Sequence, residues 1–156
     1  MIDKDLVKKI EQESGVKLIP ASEDSINKLG LFKLPKEILN FYSEYEPSET
    51  AEINFIRLHT INDLFDENTD YVPGVEISKK GYIVFASNSY GDAYCFNLHE
   101  PSWKNEQMQI VLLPHDVRFE DMNEKDIFKC CTIVASSFDD FMSKFAHKEL
   151  IEDPNY

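Results

Sequence analysis

The chain has 156 residues, of which 42% are hydrophobic, and its 29 acidic and 16 basic residues give a formal net charge of -13. Its length suits one domain, which we expect to span residues 1–156. An acidic surface repels phosphate backbones, so we do not expect direct nucleic-acid binding and favour a basic protein as the partner. On composition alone, however, a better explanation of the negative charge is that it only keeps the protein in solution.

The first 47 residues contain three helix patterns. Residues 3–15 and 22–30 each begin with an N-capping side chain and end at a glycine. The third helix is predicted to begin at Pro35, whose missing N–H costs nothing in a first turn, and to end before Pro47. Its broad apolar face, which we assign to the core, carries Ile38, Leu39, Phe41, Tyr42 and Tyr45.

The next segment predicts a strand, a short helix and an acidic loop. Residues 52–58 alternate in polarity and predict one strand with two mixed faces. Thr60 and Asp63 form a Thr-x-x-Asp capping pattern for a short helix ending at Phe65. Residues 66–71 then predict a polar loop. This loop is a candidate contact surface, but it is at least equally well explained as an ordinary solvated connection. The candidate partner-binding residues in it are Asp66, Glu67, Asp70 and Tyr71.

A β-hairpin is predicted in the middle of the chain. The apolar runs Tyr82–Phe85 and Tyr94–Phe96 flank a polar turn that reads Ser-Asn-Ser-Tyr-Gly-Asp. Gly91 can adopt the positive φ that such a turn needs, and Asp92 can bond the turn backbone through its carboxylate. Tyr90, beside Asp92 at the tip, is a further candidate for partner binding, with a structural role as the alternative.

The segment after the hairpin is rich in turn residues. Residues 99–107 predict turns, and Gln109–Leu113 predicts another strand. Glu100 and the only tryptophan, Trp103, are candidates for partner binding, because interface anchors are often aromatic residues in polar surroundings. The alternative, in which Trp103 covers a sheet edge or the rim of the core, is slightly favoured.

The last quarter of the chain ends in a clear helix. Residues 127–135 are compatible with either a strand or a helix. Ser137 and Asp140 form a capping box for a last helix, which places Phe138, Phe141, Met142 and Phe145 on one buried face. Helices grouped before and after consecutive strands predict an α+β fold with an antiparallel or mixed central sheet.

The hairpin and its Gly-Asp turn resemble the central motif of the SUKH superfamily. Leu34-Pro35 at the start of an aromatic helix, Pro73-Gly74 before the hairpin and Ala-Ser-Ser-Phe at 135–138 extend the resemblance over most of the chain. The superfamily consists largely of bacterial immunity proteins against polymorphic toxins, with some fungal regulators of cell-wall synthesis. The resemblance implies an α+β fold and places Leu34, Pro35, Gly91 and Asp92 at motif positions, for which we expect structural roles.

The chain departs from that superfamily at one point. Many members have an Asn-Gly-Gly turn after the Leu-Pro helix, whereas residues 45–49 here read Tyr-Glu-Pro-Ser-Glu. The chain therefore resembles a divergent branch, and the identity of its partner does not follow from the resemblance.

No pattern in the sequence favours catalysis or a cofactor. Asp92, Cys95 and His99 lie close together, but Cys95 sits inside a strand without a basic neighbour to stabilise a thiolate. The histidines lack metal-ligand spacing, and the five glycines form no phosphate-binding loop. We therefore expect a non-enzymatic protein with no metal and no cofactor.

The start of the chain and its cysteines indicate the compartment. Residues 1–12 are charged, unlike a secretory signal, and no apolar run approaches the roughly 20 residues of a membrane span. Three cysteines, with Cys130 and Cys131 adjacent, are a poor disulfide framework, so we expect them to pack as small hydrophobic residues. A cytoplasmic protein without membrane contact is predicted.

Two binding functions follow. The leading hypothesis is an immunity protein that binds and neutralises a cognate toxin domain. If that toxin is a nuclease, the acidic residues could mimic the charge of its substrate and speed association. The alternative is a regulatory adaptor or scaffold that binds endogenous cytoplasmic proteins, as the fungal relatives allow.

Overall fold

The helices begin at the capping residues that the sequence indicates. The computed structural model describes residues 2–99 and 108–150. In it Asp3, Ser22 and Ser137 each accept a hydrogen bond from the backbone N–H three residues further on. The elements in chain order are α1 (Lys4–Ser14), β1 (Leu18–Ile19), α2 (Glu23–Gly30), α3 (Lys36–Tyr45), β2 (Glu46–Pro47), β3 (Ala51–Ile53), β4 (Ile56–Leu58), α4 (Ile61–Thr69), α5 (Gly74–Ile77), β5 (Tyr82–Asn88), β6 (Ala93–Asn97), β7 (Ile110–Leu113), α6 (Glu124–Cys130), β8 (Thr132–Ala135) and α7 (Phe138–Ala146).

The main sheet has six strands that pair in chain order, from β3 at one edge to β8 at the other. Every neighbouring pair is antiparallel, so the predicted α+β class with an antiparallel sheet is confirmed. The predicted hairpin is β5 and β6, with Val84 opposite Cys95 and a register shift before Ala86. Strands β1 and β2 form a small separate sheet.

Both faces of the sheet are covered, by two cores of unequal size. Successive strand residues point to opposite faces, so Phe85 and Phe96 enter the larger core, where their rings stack at 4.2 Å between centroids. This larger core lies under α1, α2, α3 and α7. Val84 and Cys95 enter the smaller core, which α5, α6 and the loop after β7 cover. Cys95 is fully buried as predicted.

The single strand predicted at residues 52–58 is wrong. The segment is a tight hairpin in which Ile53 pairs with Ile56, and the two residues between them turn the chain. Asn54 and Phe55 have φ values of +51° and +68°, as two-residue hairpin loops with positive φ at both positions require. No glycine marks this turn. Because Ile53 and Ile56 both enter the larger core, their burial offsets the strain at Phe55.

Three further boundaries differ from the sequence prediction. Helix α4 continues to Thr69, so the predicted acidic loop at residues 66–71 is largely helical. Residues 127–135 form both elements, because α6 ends at Cys130 and β8 begins at Thr132. Pro35 precedes α3 with extended backbone instead of being its first helical residue.

Candidate partner-binding surface

The candidate surface is built on α4, and a buried asparagine holds that helix against the sheet. Strand β4 no longer flanks β5 at Val84, which leaves the outward N–H and C=O of Val84 in need of partners. Asn68 supplies both: its Oδ1 accepts from the Val84 N–H at 2.9 Å, and its Nδ2 donates to the Val84 carbonyl at 2.8 Å. The side chain thus replaces a neighbouring strand at this point.

Four carboxylates lie on the outer side of α4 and at its end. Asp63, Asp66, Glu67 and Asp70 occupy positions i, i+3, i+4 and i+7, which share one helix face. The buried side of the helix carries Ile61, Leu64 and Asn68. Within residues 2–99 and 108–150, none of these four carboxylates forms an ion pair with a lysine, arginine or histidine.

The electrostatics of Glu67 reflect this accumulation of negative charge. Its pKa is raised, first by partial burial and then by the nearby carboxylates of Asp63 and Asp66. Each neighbouring negative charge disfavours ionisation of Glu67, and among the described residues no cation opposes the rise of its pKa. A cationic group placed here would lower the pKa of Glu67 and would be attracted to all four side chains.

Two exposed apolar side chains follow these carboxylates directly. Tyr71 is 59% exposed and Val72 is 66% exposed. Their backbone is held on both sides, because Asp70 N–H donates to Asp66 and Val75 N–H donates to the carbonyl of Tyr71. We call the set Asp63, Asp66, Glu67, Asp70, Tyr71 and Val72 the acidic corner. It places an exposed tyrosine, one of the residue types enriched at binding hot spots, beside a group of carboxylates.

A close contact between α4 and α5 determines the shape of the acidic corner. A Cβ atom on Gly74 would lie only 1.9 Å from the carbonyl oxygen of Glu67. Only glycine therefore allows the chain to return this tightly against the end of α4. The sequence analysis singled out Pro73-Gly74 as a motif, and this contact is its physical basis at Gly74.

The hairpin tip has a polar network that differs from the one expected. Asn88, not Asp92, bonds the turn backbone, since its Oδ1 accepts from the N–H groups of Tyr90 and Asp92 at 3.0 Å. The Asp92 carboxylate instead reaches His115, whose backbone N–H and ring Nδ1 lie 2.9 and 2.8 Å from Oδ1. Gly91 has a φ of +87°, as the turn pattern predicts.

Asp92 therefore contributes no exposed charge beside Tyr90. Its side chain is 1% exposed, whereas Tyr90 is exposed at the tip. The hydrogen bond to Asp92 is the largest cause of a raised His115 pKa, with the carboxylates of Asp92 and Asp116 adding to it. These contacts connect the start of β6 to the segment after β7.

The candidate residues from the sequence lie in separate places. Asp66, Glu67, Asp70 and Tyr71 share the acidic corner, next to Val84 of β5. Tyr90 follows the end of β5 at Asn88. Asn88 lies about 13 Å along the strand from Val84, given four residues at about 3.3 Å each. Glu100 and Trp103 lie outside the described residues.

The two remaining motif residues, Leu34 and Pro35, belong to the start of α3. Leu34 is buried in the larger core. The carbonyl of Pro35 accepts from the N–H groups of Ile38 and Leu39, which begins the helix. Pro35 also lines a groove on the α1, α3 and α7 side of the molecule.

The chemistry of Cys95 does not suit catalysis. Burial raises its pKa well above the ordinary value for a thiol, so a reactive thiolate is disfavoured. His99 is engaged elsewhere, because its ring contacts the carbonyl of Lys80 and lies 3.5 Å from Glu124. In the part of the chain that the structure describes, no three His, Cys, Asp or Glu side chains group as metal ligands. The helices described there include none with the length and apolar character of a membrane span.

Sequence reasoning missed three residues of this region. Asn68 lies inside the predicted loop at residues 66–71, Val72 lies directly after it, and His115 is one of the four histidines, which lack metal-ligand spacing. The spacing of Ile61, Leu64 and Asn68 would have extended α4 if a buried asparagine had been allowed on its inner face. Their partners come from distant parts of the chain, so no local signal names them.

Comparison with known families gives one match. A family model described as the SMI1/KNR4 family (SUKH-1) matches residues 1–144. Comparison with curated proteins gives no match.

Proposed function

Because the chain belongs to the SMI1/KNR4 family (SUKH-1), we propose that it is a cytoplasmic immunity protein that binds and neutralises a cognate toxin. The family is known for toxin immunity proteins, and its members are generally non-enzymatic. The acidic corner supports a binding function, since it presents an exposed tyrosine among carboxylates that have no ion-pair partner in the described part of the chain. Inhibition would follow from occlusion of the toxin's active site or substrate groove.

A basic toxin surface is the complementary partner for the acidic corner. Fixed carboxylates attract such a surface at long range and raise the association rate. A nuclease fits best, because its phosphate-binding groove is basic. Tyr71 would then fill an apolar recess at the centre of the contact, with Asp66, Glu67 and Asp70 around it.

The test starts from the genes that neighbour this one: a candidate toxin domain found there is verified as toxic and co-expressed with the protein, and the result is scored by growth rescue and by co-purification. Asp66, Glu67 and Asp70 are changed together to lysine. A control variant changes Asp5, Glu49 and Asp121 to lysine, because these exposed residues lie elsewhere and the net charge changes equally. We expect the first variant to lose rescue and to associate at least tenfold more slowly, and the control to change far less.

Salt dependence gives a second measurement. Screening by salt should slow association of the wild type, whereas the variant with a reversed acidic corner should respond weakly. A salt-independent rate, or equal effects of the two triple variants, would refute the role of the acidic corner. If a folded wild type neither rescues growth nor binds a verified toxic neighbour, the immunity function is wrong and the adaptor alternative is favoured.

A further inference from the structure

A second surface of the molecule has the shape and charge of a binding groove. It lies between the starts of α1 and α7 and the length of α3, with a volume of about 920 Å³. No residue of the acidic corner lines it. We call it the α3 groove and define it by Ile2, Asp3, Pro35, Glu37, Asn40, Phe41, Glu44, Tyr45, Met108 and Phe138.

The floor of the α3 groove is formed by aromatic rings that pack on one another. The rings of Phe41 and Phe138 meet edge to face at 5.2 Å between centroids. Phe41 is 8% exposed and Phe138 is 6% exposed, so each ring belongs to the core and shows only part of its edge to the groove. Tyr45 packs on Phe41 at 5.8 Å and widens this apolar floor. An apolar side chain of a partner would bury the exposed ring edges of Phe41 and Phe138 together with Tyr45.

One wall of the α3 groove is acidic. Glu37, Asn40 and Glu44 lie at positions i, i+3 and i+7 of α3 and are exposed. Among the described residues, neither Glu37 nor Glu44 has an ion-pair or hydrogen-bond partner. The two carboxylates are about 10 Å apart along the helix, given seven residues at 1.5 Å each.

The charge of the groove is not uniform along its length. Glu37 is in the first turn of α3, where the positive end of the helix dipole partly offsets its charge. Glu44 is in the last turn, where the dipole adds to its charge. Asp3 already accepts a hydrogen bond as the N-cap of α1. Asp139 also lines the groove, and Lys4 is the one basic residue among the described lining residues. Of the two glutamates of α3, Glu44 is therefore the stronger position for a cation.

We propose that the α3 groove binds a basic segment of a partner protein, with an apolar side chain on the floor and cationic side chains at Glu44 and Glu37. On an extended chain, side chains on one face recur at every second residue, so lysines at i and i+4 lie about 13 Å apart with residue i+2 between them on the same face. On a helix, positions i and i+7 lie about 10 Å apart on one face. This site is independent of the acidic corner and does not require the proposed immunity function.

The experiment measures binding of fluorescein-labelled peptides by anisotropy. The probe peptide carries Lys-Leu-Phe-Leu-Lys between Gly-Ser flanks, which places both lysines and the phenylalanine on one face of an extended chain, and a control peptide carries Glu-Leu-Phe-Leu-Glu. The protein variants are the double substitution Glu37→Gln with Glu44→Gln, and a matched control, Glu23→Gln with Glu49→Gln, at exposed sites outside the groove. Thermal melting checks that each variant is folded.

We expect the basic peptide to bind the wild type and the control variant, with at least tenfold weaker binding to the Glu37 and Glu44 variant. Glu44→Gln alone should weaken binding more than Glu37→Gln alone. The variant with a reversed acidic corner should bind this peptide like the wild type, which separates this site from the proposed toxin surface.

Several results would overturn this inference. They are no binding of the basic peptide at millimolar concentration, equal binding of both peptides, or equal binding by the two double variants. If the peptide bound only after residues 100–107 were replaced by a Gly-Ser linker, the occupant of the groove would be that segment of this chain and not a partner protein. A second copy as the occupant would appear as a dimer in sedimentation that the Glu37 and Glu44 substitutions abolish.

Discussion

Replacement of Asn68 by leucine tests whether one side chain holds the acidic corner against the sheet. Leucine has nearly the same shape as asparagine but no hydrogen-bonding atoms. The substitution would leave both the N–H and the C=O of Val84 without their partners at 2.9 and 2.8 Å. It would also remove the hydrogen bond from Asn68 Nδ2 to the carbonyl of Leu64.

The expected cost follows from the number of buried groups left unpaired. Each unsatisfied buried backbone group destabilises the protein by about 1–3 kcal/mol. Burial of the leucine side chain offsets part of this loss, because full burial of leucine stabilises by roughly 1.5–3 kcal/mol. We expect a net loss of about 2–3 kcal/mol, a large part of the roughly 5–15 kcal/mol that stabilises a typical domain. The midpoint of urea unfolding should fall by about 1 M, given a slope of roughly 1–3 kcal/mol/M for small proteins.

The assay is urea unfolding at neutral pH, with amide hydrogen exchange at Val84 as a local readout. Asn62→Leu is the matched control, because Asn62 is exposed on the same helix and should tolerate the change within about 0.5 kcal/mol. Asn68→Asp adds a pH test, since a protonated carboxyl can donate to the Val84 carbonyl and an ionised one cannot. Its destabilisation relative to the wild type should therefore shrink as the pH falls. If Asn68→Leu costs no more than Asn62→Leu, the reasoning is wrong.

Two further predictions concern the hairpin tip and the contact between α4 and α5. The hydrogen bond to Asp92 is the main cause of the raised pKa of His115. The stabilisation by this pair is therefore complete below the pKa of His115 in the unfolded chain, about 6.5, and is lost as the pH rises through its higher pKa in the folded protein. Asp92→Asn should therefore destabilise the protein more at pH 6 than at pH 9 in urea unfolding, and equal losses at both pH values would contradict this. Gly74→Ala should lower the free energy of unfolding by at least about 2 kcal/mol in the same assay, because the new Cβ would overpack against Glu67. Gly30→Ala is the control and should be neutral or stabilising, since open space surrounds its Cβ position. Equal effects of the two substitutions would refute the importance of the contact between Gly74 and Glu67.

The sequence predicts the elements whose signals are local. An N-cap side chain and the N–H that it bonds are three residues apart, as at Asp3, Ser22 and Ser137. The hairpin at β5 and β6 is equally local, since its turn residues join adjacent apolar runs. The fold class follows from the order of these elements, because helices grouped before and after consecutive strands predict an α+β fold.

Local patterns failed where tertiary packing had the larger effect. Asn54 and Phe55 adopt positive φ values without glycine because Ile53 and Ile56 are buried together. Helix α4 continues past Phe65 because the polar Asn68 is buried, and only its contacts with β5 explain that. Composition and spacing treat such an asparagine as a loop residue.

The sequence by itself determined the starts of α1, α2, α4 and α7, the central hairpin, the burial of Cys95 and the excess of negative charge. Only the tertiary structure decided that Asp63 shares a helix face with Asp66, Glu67 and Asp70, and that Glu37 and Glu44 line one groove. It also decided the partners of Asn68 and Asp92, which lie 16 and 23 residues away from them. A hydrogen bond across such a separation depends on how the whole chain packs, so no local pattern can encode it.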